Sequence, residues 1–139
     1  MGMIMEDVLT IFQENLNTMI KGIDDPEEKL SVAANIYFKV VDQQSEKALL
    51  IYQKSSSLDK ASKSRVMQLE VDVSTIFAKI ISEGIELGVF KRVDVDLMAY
   101  NIVMMAHTWI LKRWHFKNRL SLDTYFKLQL EIITDALKK

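Results

Sequence analysis

Residues Asp94 to Phe116 (DVDLMAYNIVMMAHTWILKRWHF) contain neither Gly nor Pro, and an Asp stands at their head. Wound as a helix at ~100° per residue, they place Asn101, Thr108, Lys112 and His115 on a polar stripe about 60° wide. Apolar side chains dominate almost everything outside that stripe. A helix of this kind must be covered on two sides. One side can be the chain's own core, and the other calls for a partner. The stretch therefore points to an all-helical domain that dimerises.

The rest of the chain agrees with a helical bundle. A length of 139 residues suits one domain, residues 1–139, with a real core. Four Gly and one Pro leave little material for a strand-and-turn architecture. Apolar residues at 49% and charged residues at 27% are a globular balance rather than a disordered one. A net charge of −1 gives no bulk basic signal, so this segment is not expected to grip DNA by itself. The absence of Cys excludes disulfides, thiolate zinc sites and a Cys nucleophile. No apolar run approaches the roughly 20 residues of a membrane span. The first residues lack a signal peptide's basic region and cleavage site, and Glu6 stands where myristoylation wants Ser or Thr. The expectation is a cytoplasmic protein, its Met-rich start laid onto a helix that began earlier in a longer chain.

The spacing predicts about six helices. The first runs from about Ile4 to Lys21, with Val8, Phe12, Leu16 and Ile20 on one face and Gly22 as its C-terminal cap. The second opens at Asp25-Pro26-Glu27-Glu28, where Asp25 caps, Pro26 takes the first helical position and Glu28 completes a box-like arrangement. It extends to Val41, and Asp42-Gln-Gln-Ser45 interrupts the pattern. A short helix over 48–52 follows, then a loop at Lys54–Ser57, with Ser57 or Asp59 as the next cap. The fourth helix spans about Lys60 to Leu87, with Gly88 as its cap. The fifth is Asp94–Phe116, and Ser121 caps the last, Leu122–Leu137. The apolar arc of that last helix is roughly 200° wide, too broad for one-sided packing. Joined by a short connection, the last two helices make a hairpin that, paired with its copy, would form a four-helix interface.

No Gly-rich phosphate loop, HExxH motif or EF-hand loop is present. His107 and His115, the two histidines, are eight apart, whereas a two-histidine metal site on a helix prefers three or four. His107 is therefore expected as a hydrogen-bonded core or pocket-wall residue. Glu70 points into the apolar side of the fourth helix. It either snorkels to solvent or serves as a polar group within a cavity, anchoring a ligand or pairing with Arg113, Lys112 or His107. Met98, Met104 and Met105 fit core packing or an adaptable pocket. No nucleophile, base and orienter set is identifiable, so no enzyme is expected.

Several stretches carry a family resemblance. These are Asp25-Pro26-Glu27-Glu28-Lys29-Leu30, Ile80–Phe90 (IISEGIELGVF), Asp94–Ala99, Trp109–Phe116 and Leu120–Tyr125. Their order and spacing resemble the C-terminal ligand-binding and dimerisation region of TetR/AcrR-type transcriptional repressors. The family's helix-turn-helix domain is absent from this chain, which makes it a fragment of a longer regulator or a shortened member. The fragment is preferred, with DNA reached only through the missing N-terminal domain. The resemblance implies a helical bundle in which residues 26–41, 60–87 and 95–111 surround an apolar cavity. An apolar or amphipathic effector, such as a fatty acyl group or an aromatic compound, would bind there and reposition the first helix, changing half-site spacing. The candidate ligand-binding residues are Tyr37, Val41, Tyr52, Glu70, Phe77, Ile81, Met104, His107 and Leu111. The candidate interface residues of the homodimer are Ile102, Trp109, Arg113, Tyr125, Leu128, Ile132 and Ile133. No cofactor and no metal is implied. The other reading is a helical dimeric adaptor without an effector, which predicts a filled core.

Overall fold

The computed structural model describes residues 2–53 and 59–139; the side chains of residues 2–7, Ala48, Ile51, Tyr52 and Ser62 lie outside that description. The predicted loop at 54–57 and the Ser57 cap also lie outside it. The described residues form seven helices: α1 (Gly2–Met19), α2 (Pro26–Gln43), α3 (Ser45–Gln53), α4 (Lys60–Glu86), α5 (Val95–Leu111), α6 (Arg113–Phe116) and α7 (Leu122–Leu137).

Three helices begin at the side-chain caps expected of them. The Asp25 carboxylate accepts from the Glu27 N–H at 3.4 Å, Asp94 from the Leu97 N–H at 3.0 Å, and the Ser121 hydroxyl from the Thr124 N–H at 3.2 Å. Each satisfies an otherwise orphaned helix donor, worth about 1 kcal/mol. Gly22 and Gly88 take left-handed backbone, with φ of +87° and +76°, just beyond the ends of α1 and α4. The predicted interruption at 42–45 shrinks to one residue, because α2 continues through Asp42 and α3 starts at Ser45.

One expected helix is two. The ladder of α5 breaks at Lys112, whose φ of −117° and ψ of 20° leave helical space although no Gly or Pro is near. The break turns Arg113 onto Asp42 at the end of α2 and lets Phe116 pack on Tyr125, ring centroids 5.5 Å apart. Side-chain partners across the bundle thus outweigh the local preference to continue.

The core lies between α1, α2, α4 and α5, with α7 closing one flank of α2 and α5. Its centre is aromatic. Phe12, Tyr37 and Phe77 meet pairwise at centroid distances of 5.1, 5.7 and 5.9 Å, geometries worth roughly 0.5–1.5 kcal/mol per pair beyond area. A second aromatic group, Phe38, Tyr125, Phe126 and Trp109, joins α2 to α7 and α5. At the far end, the Lys91 N–H donates to the Leu137 carbonyl at 2.9 Å and ties the chain after α4 to the end of α7.

Phe90 folds back under α4 and covers Gly84, where an added Cβ would overlap the Phe90 ring. Gly84→Ala is expected to cost about 1–3 kcal/mol, because that ring must be displaced from a packed site. Urea unfolding monitored by circular dichroism checks this, with Ser82→Ala as the control expected to change little.

Candidate functional site

The sequence-predicted cavity residues separate into a core set and a rim. Tyr37 and Val41 of α2, Phe77 and Ile81 of α4 and His107 of α5 are buried in one cluster. At its centre the Tyr37 hydroxyl and His107 Nε2 share a hydrogen bond of 2.6 Å, with the rings 5.9 Å apart. His107 is 4% exposed, and desolvation lowers its pKa to about 4. It is the hydrogen-bonded core histidine its surroundings suggested, held neutral at physiological pH.

Glu70 stands half-buried at the rim of this cluster, and no hydrogen bond or ion pair to it is seen among the described residues. Burial pushes its carboxyl above the usual range. Burial, and then the carboxylates of Glu70 and Asp96, also raise the Tyr100 phenol, which brings Tyr100 of α5 and Glu70 of α4 to one seam. The expected partners of Glu70 are engaged elsewhere or exposed: Arg113 lies on Asp42, His107 on Tyr37, and Lys112 is exposed. Ser74 is buried, its hydroxyl donating to the Val71 carbonyl at 2.8 Å.

Several assignments on α5 and α7 differ from the burial seen within the protomer. Met104, expected at the cavity, is 37% exposed and shares the outer face of α5 with Leu97, Asn101 and Lys112. Leu111 is half-buried beside it. Ile102 and Trp109, expected at a partner, are inside the chain's own core, because that side of α5 meets α2 and α7. Tyr125 and Ile133 are likewise buried within the protomer, whereas Leu128 (47%) and Ile132 (58%) remain exposed on α7. The Tyr52 side chain lies outside the described residues.

The sequence reading missed Asp42. Its Oδ1 accepts from Trp109 Nε1 at 2.9 Å and from the Arg113 guanidinium, which also lies 5.8 Å from the Trp109 ring centroid. A signal was available: Asp42 sits in the last turn of α2, where the helix dipole disfavours a carboxylate and a cationic partner is called for. Tyr125 forms a second latch, donating to the Met105 carbonyl at 2.5 Å and accepting from Gln129 at 3.1 Å. It fixes α7 against α5, while Leu128 and Ile132 of α7 stay exposed. Among the described residues, no group of acidic or histidine side chains could hold a metal ion, and no helix is long and apolar enough to cross a membrane.

Residues 23–118 match the family model described as the tetracyclin repressor-like C-terminal domain. The chain is 29% identical over 131 residues to the HTH-type transcriptional regulator HbdR of Aromatoleum sp. (strain CIB), covering 94% of this chain but 57% of that relative. In fold it resembles the TetR family transcriptional regulator PfmR from Thermus thermophilus (TM-score 0.78, 18% identity, 99% of this chain and 72% of that one). It also resembles AibR, solved in complex with isovaleryl coenzyme A and operator DNA (TM-score 0.73, 17% identity, 94% of this chain and 71% of that one).

Folded His107 titrates at about 4, against an ordinary value near 6.5 in the unfolded chain. Its contribution is therefore complete above about pH 6.5 and is lost as pH falls towards 4. Between pH 7.5 and 4.5, the native protein is expected to lose roughly 2–3 kcal/mol more than a His107→Gln variant. Urea unfolding at the two pH values measures the difference, and parallel losses would remove His107 as the cause.

Proposed function

Because the chain belongs to the tetracyclin repressor-like C-terminal domain family, we propose that it is the effector-binding and dimerisation part of a TetR-type transcriptional regulator. The match over residues 23–118 carries this reading, since it spans α2 through α6, the helices around the buried Tyr37–His107 pair. DNA would be reached through a helix-turn-helix domain preceding α1. The effector is proposed to be apolar or amphipathic, an acyl or aromatic compound. It would enter beside Tyr37, Val41, Phe77, Ile81 and His107, with Glu70 and Leu111 at the rim. The presence of isovaleryl coenzyme A in the AibR complex supports the acyl class by analogy of fold alone.

The mechanism follows from the packing. The inner face of α1, through Phe12, rests on Tyr37 and Phe77. A ligand that separates those rings must shift α1, because a close-packed core has no slack to absorb it. Moving α1 in two copies would change the distance between two DNA-binding domains, and hence their fit to paired half-sites. The ligand must bind the two arrangements with different affinity for this to operate.

The second copy is proposed to dock on the outer face of α5 and α7, where Leu97 (60%), Met104, Leu128 and Ile132 are exposed. Arg113, also expected at the partner, is half-buried and engaged with Asp42 of its own chain. A second reading, a dimeric adaptor without effector, draws on the dense packing of Phe12, Tyr37 and Phe77.

Two measurements follow. Sedimentation should give a dimer at micromolar concentration, and Ile132→Glu should shift it to monomer with the fold retained, because the charge would be buried without a partner. A thermal-shift screen should find stabilisation by acyl or aromatic compounds; stabilisation by polar sugars or metals alone would contradict the effector class, and none at all would favour the adaptor.

A further inference from the structure

An open groove of about 470 Å³ runs between the C-terminal half of α1 and the middle of α4. Its volume lies within the range of small-molecule sites. Its lining includes none of Tyr37, Phe77 and His107, although Leu16 and Ile80 also belong to the core. The floor is aliphatic: Leu16 and Ile20 from α1, Ile76 and Ile80 from α4. Lys79 supplies the one charge among the lining residues, and the side-chain amides of Gln13 and Asn17 stand with it. Lys79 is exposed and makes no ion pair or hydrogen bond seen among the described residues. The nearest carboxylate one turn along α4, Glu83, is committed to Lys29 of α2 at 2.9 Å.

An apolar trough edged by one unneutralised ammonium group and two amides complements a particular class of molecule. The chain of an amphiphile would cover the half-buried Ile20 and Ile76, over Leu16 and Ile80, which are already buried. The head group must accept hydrogen bonds, and it gains from being negative. A cationic head would meet Lys79 instead.

We infer that the α1–α4 groove is a binding site for a single-chain amphiphile with an anionic head, its chain lying on Leu16, Ile20, Ile76 and Ile80 and its head at Lys79. One wall of this site is α1 itself, the helix that the proposed mechanism moves. An occupant would wedge α1 against α4 without opening the aromatic core. The regulatory consequence rests on the proposed function, whereas the binding stands by itself.

Isothermal titration of this chain with sodium decanoate and with decylamine, matched in chain length, tests the inference. Decanoate is expected to bind saturably through the groove and at least tenfold tighter than decylamine. Lys79→Glu should lower decanoate affinity at least tenfold and remove the preference, whereas Lys47→Glu, also exposed but remote from the groove, should change neither. Lys79 is exposed, so its variant keeps the fold, which circular dichroism verifies. Decanoate affinity within twofold of native in Lys79→Glu, or no saturable binding, overturns the groove. So does binding that His107→Gln abolishes and Lys79→Glu does not, because the ligand then lies in the core. If the chain is dimeric but does not take up decanoate, the groove falls and the regulator reading stands. If decanoate binds through Lys79 to a chain that is monomeric and unresponsive to other effectors, the groove stands and the regulator reading falls.

Discussion

The bundle depends on keeping one imidazole dry. His107 sits where α2, α4 and α5 converge, and its neutral form is bonded to the Tyr37 hydroxyl. A polar ring in an apolar centre is tolerated only while its hydrogen bonding is satisfied. That requirement fixes the rotation of α5 about its axis, and α2 with it. Once α5 is so oriented, Ile102, Val103, Ala106 and Ile110 must face inward, and Leu97, Asn101 and Met104 must face outward. The unusually apolar helix thereby divides its surface between a core and a face that α1 to α4 cannot cover.

The same constraint accounts for the latches around it. Trp109 follows His107 by two residues and so points to another flank, where Asp42 receives its indole N–H. Arg113 can reach the same carboxylate because α5 ends at Lys112. A half-buried carboxylate with one donor would be costly, and with an indole and a guanidinium it is stabilised. Tyr125 then fastens α7 beside α5 through the Met105 carbonyl. Polar bonds therefore set how the helices are rotated, while apolar area supplies most of the cohesion.

Much of the fold was legible in local chemistry. Asp25, Asp94 and Ser121 announce helix starts because a short acceptor side chain before an apolar periodic run has few other uses, and Gly22 and Gly88 announce ends because left-handed backbone favours Gly. The break at Lys112 was not legible, since nothing in Leu111-Lys112-Arg113 disfavours a helix; its cause, Asp42, is 71 residues away from Arg113. The candidate site was legible in part for a related reason. Periodicity finds Tyr37, Phe77, Ile81 and His107 because each lies mid-stripe. It cannot decide which flank of a nearly all-apolar helix meets the chain's own core, so Trp109 was placed outside that core and Met104 inside it. The α1–α4 groove escaped altogether, because its floor reads as ordinary core pattern and only the spacing of two helices leaves it open.

The central claim is that the outer face of α5 and α7 meets a second copy of the chain. The absence of Cys allows single spin labels to be placed cleanly. Electron–electron dipolar spectroscopy on a Lys112→Cys label, at the edge of that face, is predicted to give an intermolecular distance on the order of two helix diameters, about 20 Å. A label at Lys63, on α4, is predicted to give a much longer one. No dipolar coupling at Lys112, or the shorter distance at Lys63, would contradict the account.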